Sequence, residues 1–292
     1  MKNTYDEFYP VALTIAGSDS GGGAGIQADL RTFSAAGIYG CSVITAVTAQ
    51  NPRQISKQEV MTPELVKAQF DAVVSAMAVR AAKTGMLGSG AVVRTLIKCL
   101  EKKRFPLVVD PVMISTSGRR LLDDDGLDAM KNGLLQLADM ITPNLPEAEW
   151  LLGRKLSGQD DCIQGAQELA ERFDCRVLLK GGHVPEQGRK VCDIVVMDNK
   201  VMLLTSPRVE DLSEFAAHGT GCTLSSAIVA MLARNENWKD ALTGAKSFVY
   251  GSLCEVANVG KELECMYPPL DDYSSQVSLR VFNPGTGSRG RK

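Results

Sequence analysis

Apolar and polar positions follow two different spacings that alternate along most of the chain. Short apolar or β-branched runs, typical of buried strands, cover residues 11–16, 41–47, 82–87, 107–110, 140–142 and 176–180. Apolar residues at helical spacing occupy residues 27–36, 63–77, 89–104, 121–137, 162–173, 221–234 and 238–257. Strands that alternate with helices predict right-handed crossovers, and therefore an α/β fold with a mostly parallel central sheet and helices on both faces.

One pair of strands and one terminal segment depart from this alternation. Residues 191–197 and 201–205 flank Asp198, Asn199 and Lys200, which predicts an antiparallel hairpin at one edge of the sheet. Residues 274–292 are polar and contain glycine, so we expect a poorly ordered tail there. We expect residues 1–273 to form a single domain, because α/β folds often reach this length in one unit.

The overall composition is that of an ordinary globular protein. Of 292 residues, 45% are hydrophobic and 23% charged, and 32 Lys and Arg against 34 Asp and Glu leave a formal net charge of −2. This balance argues against nucleic acid or an anionic membrane as the main partner, since both usually require a concentrated basic face. No apolar stretch approaches the roughly 18 residues of a membrane span, and residues 1–10 lack an apolar targeting core.

The cysteines and histidines limit the metal chemistry and the compartment. The 8 cysteines are scattered without a CxxC pair, and the chain has only 2 histidines. This pattern disfavours paired-thiolate zinc sites and disulfide frameworks, and it fits a reducing cytoplasm.

Chemically functional residues follow directly after several of the predicted strands. They are a glycine-rich loop at residues 17–25, Gln50 with Asn51, Asp110, Asn144 with Glu147, and Lys180. In an open parallel sheet, ligands bind beyond the carboxyl ends of the strands. We therefore expect these residues to converge on one site.

The glycine-rich loop at residues 17–25 has the sequence GSDSGGGAG, with neither the GxGxxG nor the GxxxxGK[ST] spacing. This argues against a dinucleotide-binding fold and against a Walker-type nucleotide site. A flexible turn and a close contact with a flat small molecule both fit the loop, because glycine permits either.

A second glycine cluster, HGTGCT at residues 218–223, leads directly into an apolar helix. Backbone N–H groups at a helix start, together with the helix dipole, can bind phosphate oxygens and the charge that develops in phosphoryl transfer. The same location is expected to lower the pKa of Cys222. The alternative is a buried, inert cysteine after an ordinary helix start.

Asp110, Asn144 and Glu147 offer oxygen ligands at neighbouring strand ends, which suits Mg²⁺ held partly by water and substrate phosphates. Lys180 could neutralise a phosphate as a point charge. Three consecutive acidic residues, Asp123–Asp125, fit a solvated helix start better than a metal site. Taken singly, each of the proposed ligands could equally be a surface or capping residue.

These motifs together resemble a known family, the hydroxymethylpyrimidine/phosphomethylpyrimidine kinases of thiamine biosynthesis. The similarity runs in unbroken order over about residues 11–260. It consists of AGSD at 16–19, GGAGIQADL at 22–30, GCSVITA at 40–46, AQN at 49–51, KTGML at 83–87, DPVM at 110–113, ITPNLPEAE at 141–149, KGGH at 180–183 and HGTGCTLS at 218–225.

The resemblance implies a ribokinase-like fold, a three-layer α/β/α domain that is commonly a homodimer. It also implies transfer of the γ-phosphoryl group of ATP to hydroxymethylpyrimidine, and then phosphorylation of the monophosphate to the diphosphate. ATP and Mg²⁺ are the implied cofactors, and the implied partner is a small-molecule substrate.

The resemblance further implies a role for individual residues. Gln50 is expected to read the aminopyrimidine edge, since an amide offers a donor and an acceptor side by side. Asp29 is a second substrate-side residue, and Gly17, Ala24, Met86 and Val112 would line the ring pocket. Gly219, Thr220, Gly221 and Cys222 resemble the anion hole, with Cys222 as catalytic base. Lys180, Asn144 and Thr220 would contact the nucleotide phosphates, and Asp110 and Glu147 would hold the metal.

The chain departs from the family pattern in two places, and other functions stay open. Residues 209–217 look longer than usual, with Ala217 where threonine is common, and residues 261–264 replace a glycine-containing continuation. Both departures lie near the expected nucleotide end. Pyridoxal kinase is the nearest alternative, because pyridoxal is also a flat heteroaromatic alcohol. A non-catalytic protein that binds a pyrimidine or pyridoxal phosphate is a second alternative, and a nicotinamide oxidoreductase is disfavoured by the glycine spacing.

Overall fold

The computed structural model describes residues 9–114, 120–182, 188–213, 215–261 and 263–282. Its strands are β1 (Val11–Asp19), β2 (Tyr39–Asn51), β3 (Gln54–Val60), β4 (Val79–Thr84), β5 (Leu107–Val109), β6 (Met140–Ile141), β7 (Arg176–Leu179), β8 (Lys190–Met197), β9 (Lys200–Pro207), β10 (Ala257–Gly260), β11 (Leu263–Cys265) and β12 (Ser278–Val281). Its helices are α1 (Gly25–Ala35), α2 (Pro63–Ala76), α3 (Gly90–Leu100), α4 (Asp124–Asn132), α5 (Leu145–Leu152), α6 (Gly158–Phe173), α7 (Thr220–Ala233) and α8 (Trp238–Cys254).

Within the described residues, ten strands form one sheet in the order β12-β9-β8-β7-β6-β5-β4-β1-β2-β3. The six central strands, β7, β6, β5, β4, β1 and β2, are parallel. Strand β3 pairs antiparallel with β2, and β8, β9 and β12 continue the other side in antiparallel pairs. The predicted parallel sheet is confirmed.

Two apolar layers cover the two faces of the sheet. Alternate side chains of β1 separate between them, so that Leu13 and Ile15 belong to one cluster and Ala12 to the other. The first cluster also contains the buried faces of α2, α3 and α6. The second contains those of α7 and α8. The arrangement is a three-layer α/β/α fold, and it leaves the carboxyl ends of the parallel strands at one edge of the molecule.

The start of α7, like those of α1 and α6, lacks the side-chain cap found at the starts of the other described helices. Ser89 accepts a hydrogen bond from the Val92 amide at the start of α3, and Asn237 accepts from Lys239 and Asp240 at the start of α8. The residue before α7 is Gly219, which has no side chain to cap the helix. The Thr220 amide donates to the Ala217 carbonyl at 3.3 Å, and the next two amides of α7 are left for other acceptors.

The structure corrects several expected elements. The predicted helix at residues 121–137 is shorter, because it stops at Gly133 and continues only as a 3₁₀ turn at Leu134–Leu137. The predicted hairpin exists as β8 and β9, with Asp198 and Asn199 at positive φ in its turn, but β12 lies outside it at the edge. The prediction of a poorly ordered tail is wrong for Ser278–Val281, which pairs with β9, whereas residues 283–292 lie outside the described part. None of the described helices is long and apolar enough to cross a membrane.

Candidate active site

A cavity of about 760 Å³ lies beyond the carboxyl ends of the parallel strands. This volume is typical of a small-molecule site. Most of the residues expected to bind ligand line it, although they come from distant parts of the chain: Gly17, Ala24, Gln50, Met86, Asp110, Val112, Asn144, Glu147, Lys180, Gly219, Thr220, Gly221 and Cys222.

The first glycine loop joins β1 to α1 at one end of the cavity. The carboxylate of Asp19 accepts hydrogen bonds from the amides of Gly21 and Ala24, at 2.8 and 2.9 Å. Burial opposes the charge of Asp19, but the hydrogen bonds from His218 and from these two amides lower its pKa overall. The ionised carboxylate therefore holds the loop in one shape, which argues against the flexible turn.

His218 connects this loop to Gln50. Its Nε2 atom lies 3.7 Å from Oδ2 of Asp19 and 3.3 Å from Nε2 of Gln50. Oε1 of Gln50 accepts a hydrogen bond from Thr48 at 3.1 Å, so protein partners orient the amide at the cavity wall. The sequence indicated His218 only as part of the glycine motif, and its place before a glycine was the sole signal of a role.

The second glycine cluster packs directly on the first. Gly219 has φ +85°, and a Cβ atom there would lie 2.0 Å from the carbonyl oxygen of Gly23. Both the backbone conformation and the close contact therefore require glycine. Among the described residues, the amides of Gly221 and Cys222 have no hydrogen-bond acceptor. Both residues line the cavity, so their amides are available to an anion bound there.

The expected pKa of Cys222 is wrong in direction. The pKa of this thiol is raised to about 11. Burial is the main cause, Lys83 partly offsets it, and Asp29 and Asp110 add to the rise. A hydrogen bond from the Gly25 amide also favours the thiolate. Local position at a helix start favours ionisation, but loss of water outweighs it here.

Asp110, Lys180 and Glu147 meet beside the start of α7, where a Cβ atom on Gly221 would lie 3.2 Å from Nζ of Lys180. Nζ of Lys180 lies 2.8 Å from Oδ1 of Asp110 and 3.8 Å from Oε2 of Glu147. Burial and the nearby Asp110 raise the pKa of Glu147 to about 7, although Lys180 partly offsets them. Burial would lower the pKa of Lys180, yet the two carboxylates raise it overall, so its ammonium group stays charged.

The carboxylates of Asp110 and Glu147 are suitable ligands for Mg²⁺. Asp110 and Glu147 both line the cavity, and Mg²⁺ in phosphoryl-transfer sites uses one or two carboxylates with water and phosphate oxygens. No group of three or more His, Cys, Asp or Glu side chains that could hold a metal ion alone occurs in the described residues. The site could therefore complete its coordination with water and with the phosphate oxygens of a bound substrate.

Asn144 is not a metal ligand through its amide oxygen. That oxygen accepts a hydrogen bond from the Glu147 amide at 2.9 Å, and Glu147 Oε2 accepts from the Asn144 amide at 2.7 Å. This reciprocal capping box starts α5 and fixes Glu147 against the cavity.

Asp29 was expected to contact substrate, but it lies elsewhere in the structure. Its side chain is fully buried and does not line the cavity. Lys83, Thr14 and Ser226 all donate hydrogen bonds to its carboxylate. The partners of Asp29 are distant in sequence, so a pattern local to α1 could not indicate this role.

A third part of the cavity was missed by sequence reasoning. Lys246 of α8 donates to Asp193 Oδ2 at 2.7 Å, and the Gly181 amide donates to Asp193 Oδ1 at 2.8 Å. Tyr250 of α8 lines the same side of the cavity, as does the divergent segment through Val209. Apolar and aromatic side chains beside a buried ion pair suit a second, larger ligand next to the anion site.

The cavity thus brings together the two glycine loops, the amides at the start of α7, and the Asp110 and Lys180 pair beside them. Preorganised amides and a buried lysine next to a possible metal site are the elements of phosphoryl transfer. The fold and this site together define a small-molecule kinase.

Comparison with known proteins places the chain more narrowly. The sequence model of phosphomethylpyrimidine kinase matches residues 19–266, and the chain belongs to this family. The chain is 43% identical over 244 residues to the hydroxymethylpyrimidine/phosphomethylpyrimidine kinase of Rhizobium meliloti (strain 1021), which covers 83% of this chain and 90% of the relative. The predicted family is confirmed.

Solved structures show the same fold. The crystal structure of phosphomethylpyrimidine kinase from Clostridium difficile 630 is similar with a TM-score of 0.72 and 40% identity, over 82% of this chain and 97% of that one. The pyridoxal kinase of Staphylococcus aureus in complex with pyridoxal has a TM-score of 0.80 and 28% identity, over 94% of this chain and 100% of that one.

Proposed function

We propose that this protein transfers the γ-phosphoryl group of ATP to the hydroxymethyl oxygen of hydroxymethylpyrimidine, and then phosphorylates the monophosphate to the diphosphate. The observation that carries the proposal is the pair of unoccupied amide donors at Gly221 and Cys222, in one cavity with Gln50 and Lys180. The names of the similar enzymes support the same substrate and the same two steps.

The part of the cavity beside the two glycine loops suits the flat ring. Gly17, Ala24, Met86 and Val112 provide its walls, and small or flexible side chains allow a planar heterocycle to approach the backbone. Gln50, oriented by Thr48 and His218, would face the amino group and the adjacent ring nitrogen.

The part of the cavity around Lys180 suits ATP. Lys180 would contact the transferring phosphate together with the amides of Gly221 and Cys222, and Thr220 and Asn144 would contact the neighbouring phosphates. Asp110 and Glu147 would hold Mg²⁺, which supplies positive charge to the phosphate oxygens when bound. The apolar side near Tyr250 would take the base.

Cys222 would accept the proton in the first step. The hydroxymethyl O–H gives its proton to the sulfur as the oxygen bonds to the γ-phosphorus, and the bond from that phosphorus to the bridging oxygen breaks with its electrons going to ADP. With a pKa of about 11, the thiol must first lose its own proton to water, so only a small thiolate fraction is present at neutral pH, and that fraction is strongly basic. In the second step the acceptor is an ionised phosphate oxygen, which needs no base.

The test compares ATP turnover of the wild type, Cys222→Ala and Cys222→Ser with hydroxymethylpyrimidine and with its monophosphate. We expect Cys222→Ala to lower kcat of the first step by about a hundredfold or more, and that of the second step much less. Cys254→Ala, an exposed cysteine outside the cavity, is the matched control. Wild-type turnover of Cys222→Ala in the first step would assign this cysteine to packing.

Pyridoxal phosphorylation is the second candidate, favoured by the similarity to the Staphylococcus aureus enzyme over 94% of the chain. Higher sequence identity to the hydroxymethylpyrimidine kinases supports the pyrimidine as the better substrate. Steady-state kcat/KM with both alcohols decides between them, and a preference for pyridoxal would overturn the substrate assignment. Any ATP turnover with either alcohol excludes a non-catalytic binding protein.

The same proposal includes a homodimer that works in the cytoplasm. Family resemblance supports it, and sedimentation equilibrium of the purified chain tests it. A monomer at micromolar concentration would contradict the expected assembly.

A further inference from the structure

A charged group that the proposed chemistry does not use lies behind the cavity. The side chain of Lys83, at the end of β4, is fully buried, and its Nζ donates to Asp29 Oδ1 at 3.0 Å. Two hydroxyl groups, of Thr14 and Ser226, also donate to the Asp29 carboxylate at 2.6 Å. We call Thr14, Asp29, Lys83 and Ser226 the buried node, which joins β1, α1, β4 and α7.

The buried node lies immediately behind the anion site. Ser226 stands one helical turn after Cys222 in α7. Nζ of Lys83 lies 3.5 Å from the position of a Cβ atom on Gly85, and Gly85 itself lines the cavity. None of the four node residues, all of which are described, lines the cavity, so they act on a ligand only through other residues.

Packing alone is a weak explanation for this node. Burying an ion pair costs several kcal/mol of desolvation per ion, and apolar residues of similar volume often stabilise a core as well or better. Burial by itself would lower the pKa of Lys83, but Asp29, Cys222 and Asp110 raise it overall, so the ammonium remains charged. The ammonium of Lys83 is therefore kept charged within its ion pair with Asp29 behind the cavity wall.

The charged groups around Cys222 come from four elements. Lys83 on β4 attracts the thiolate, whereas Asp29 on α1 and Asp110 after β5 repel it. Lys180 after β7 also attracts it, since the thiolate raises the pKa of Lys180. Asp110 and Lys180 line the cavity where phosphate is expected to bind. Lys83 and Asp29 do not line the cavity, so their charges act on Cys222 without contacting substrate.

We propose that Lys83 is a positioning residue: its ammonium, fixed by Asp29, supplies the positive charge that allows Cys222 to take the proton of the acceptor hydroxyl. The proposal rests on Cys222 as the base of the first step. It assigns Asp29 the task of holding Lys83 in place rather than of contacting substrate.

The test measures the pKa of Cys222 itself, from the pH dependence of its alkylation by iodoacetamide, followed on the peptide that contains it by mass spectrometry. We expect Lys83→Met to raise this pKa by about 1 or more, and Asp29→Asn to lower it, because the two charges act in opposite directions. Ser226→Ala is the matched control, since it removes one hydrogen bond to Asp29 and no charge, and it should leave the pKa unchanged.

The same variants are then assayed for ATP turnover. Lys83→Met is expected to lower kcat of the first step by about tenfold or more at neutral pH, with a smaller effect on KM and on the second step. An unchanged pKa of Cys222 in Lys83→Met overturns the proposal. A rise of this pKa in both Lys83→Met and Asp29→Asn also overturns it, because general disruption of the packing would raise both. If Lys83→Met does not fold, Lys83→Gln takes its place in the same measurement, because it removes the same charge and keeps a polar side chain.

Failure of the proposed function has a different signature. Full turnover of Cys222→Ala would remove the base from the mechanism, whatever the alkylation data show. Reduced turnover of Cys222→Ala, combined with no shift of the Cys222 pKa in the charge variants, would retain the base and reject the role of Lys83.

Discussion

Nζ of Lys180 lies 2.8 Å from Oδ1 of Asp110, and this ion pair joins the end of β7 to the end of β5 at the centre of the cavity. Asp110 is almost fully buried, and the ammonium of Lys180 is largely so. A phosphate that enters must share Lys180 with this carboxylate. The pair therefore sets the charge that an incoming phosphate meets, and its disruption has predictable effects.

Lys180→Met should lower kcat/KM for ATP by about a hundredfold or more, because removing a preorganised charge from the transferring phosphate costs about this much. It also leaves Asp110 and Glu147 without their shared cation. Lys155→Met is the control, since Lys155 is exposed and pairs only with Glu149 at the surface. Turnover assays on both variants check this, and a mild effect of Lys180→Met would remove Lys180 from the phosphate site.

Glu147→Gln should change how stability depends on pH. The pKa of Glu147 is raised from 4.5 to about 7, so its contribution to stability is present at low pH and is lost as the pH rises through 7. Glutamine imitates the neutral acid at every pH. The difference in Tm between variant and wild type should therefore become more positive from pH 5 to pH 8.

Thermal melts of both proteins in one buffer series measure that difference. Asp125→Asn is a suitable comparison, because Asp125 is exposed and its pKa is lowered by Arg94 rather than raised. A Tm difference that stays constant between pH 5 and pH 8 would mean that Glu147 is already ionised throughout.

Gly219→Ala should abolish most activity. A Cβ atom at this position would overlap the Gly23 carbonyl and require an unfavourable positive φ, so either the anion site or the first glycine loop must move. Gly37→Ala is the matched control, because Gly37 also has positive φ, of +72°, but open space around it. We expect both variants to lose about 1 kcal/mol from backbone strain, and only Gly219→Ala to lose kcat. Equal turnover of the two would show that the contact with Gly23 is dispensable.

Removal of β12 should destabilise the fold without altering the chemistry. This strand pairs with β9 over Ser278–Val281, and Leu279 packs against the second apolar cluster. A chain that stops at Tyr273 should therefore melt several degrees below one that stops at Phe282, since about 1 kcal/mol corresponds to 2–4 °C in a chain of this size. Calorimetry of the two truncated chains isolates the strand, and coincident melting curves would contradict the prediction.

The parts of the fold that could be predicted are those with a strong local signal. The apolar runs of the parallel strands and the glycine cluster before α7 were sufficient to place Cys222, Gly221 and Lys180 around one cavity. Strands β3 and β12 were missed because edge strands with one exposed face carry polar residues, and short polar segments have little periodicity. The capping box of Asn144 and Glu147 was visible in the sequence but was interpreted as a ligand set.

The pKa of Cys222 and the place of Asp29 could not be predicted in this way. Both depend on residues that only the tertiary fold brings together, since Asp29 and Ser226 are 197 positions apart. Local reasoning took account of the helix dipole at Cys222. It could not estimate how strongly burial raises the pKa of the thiol. Burial decided the outcome in both cases.

The contact between Gly23 and Gly219 couples two segments that are far apart in the sequence. A Cβ atom on Gly219 would overlap the Gly23 carbonyl, and one on Gly23 would lie 2.8 Å from the His218 ring, so a larger residue at either position requires the other segment to move. A change of acceptor specificity that replaces either glycine therefore requires redesign of both loops together.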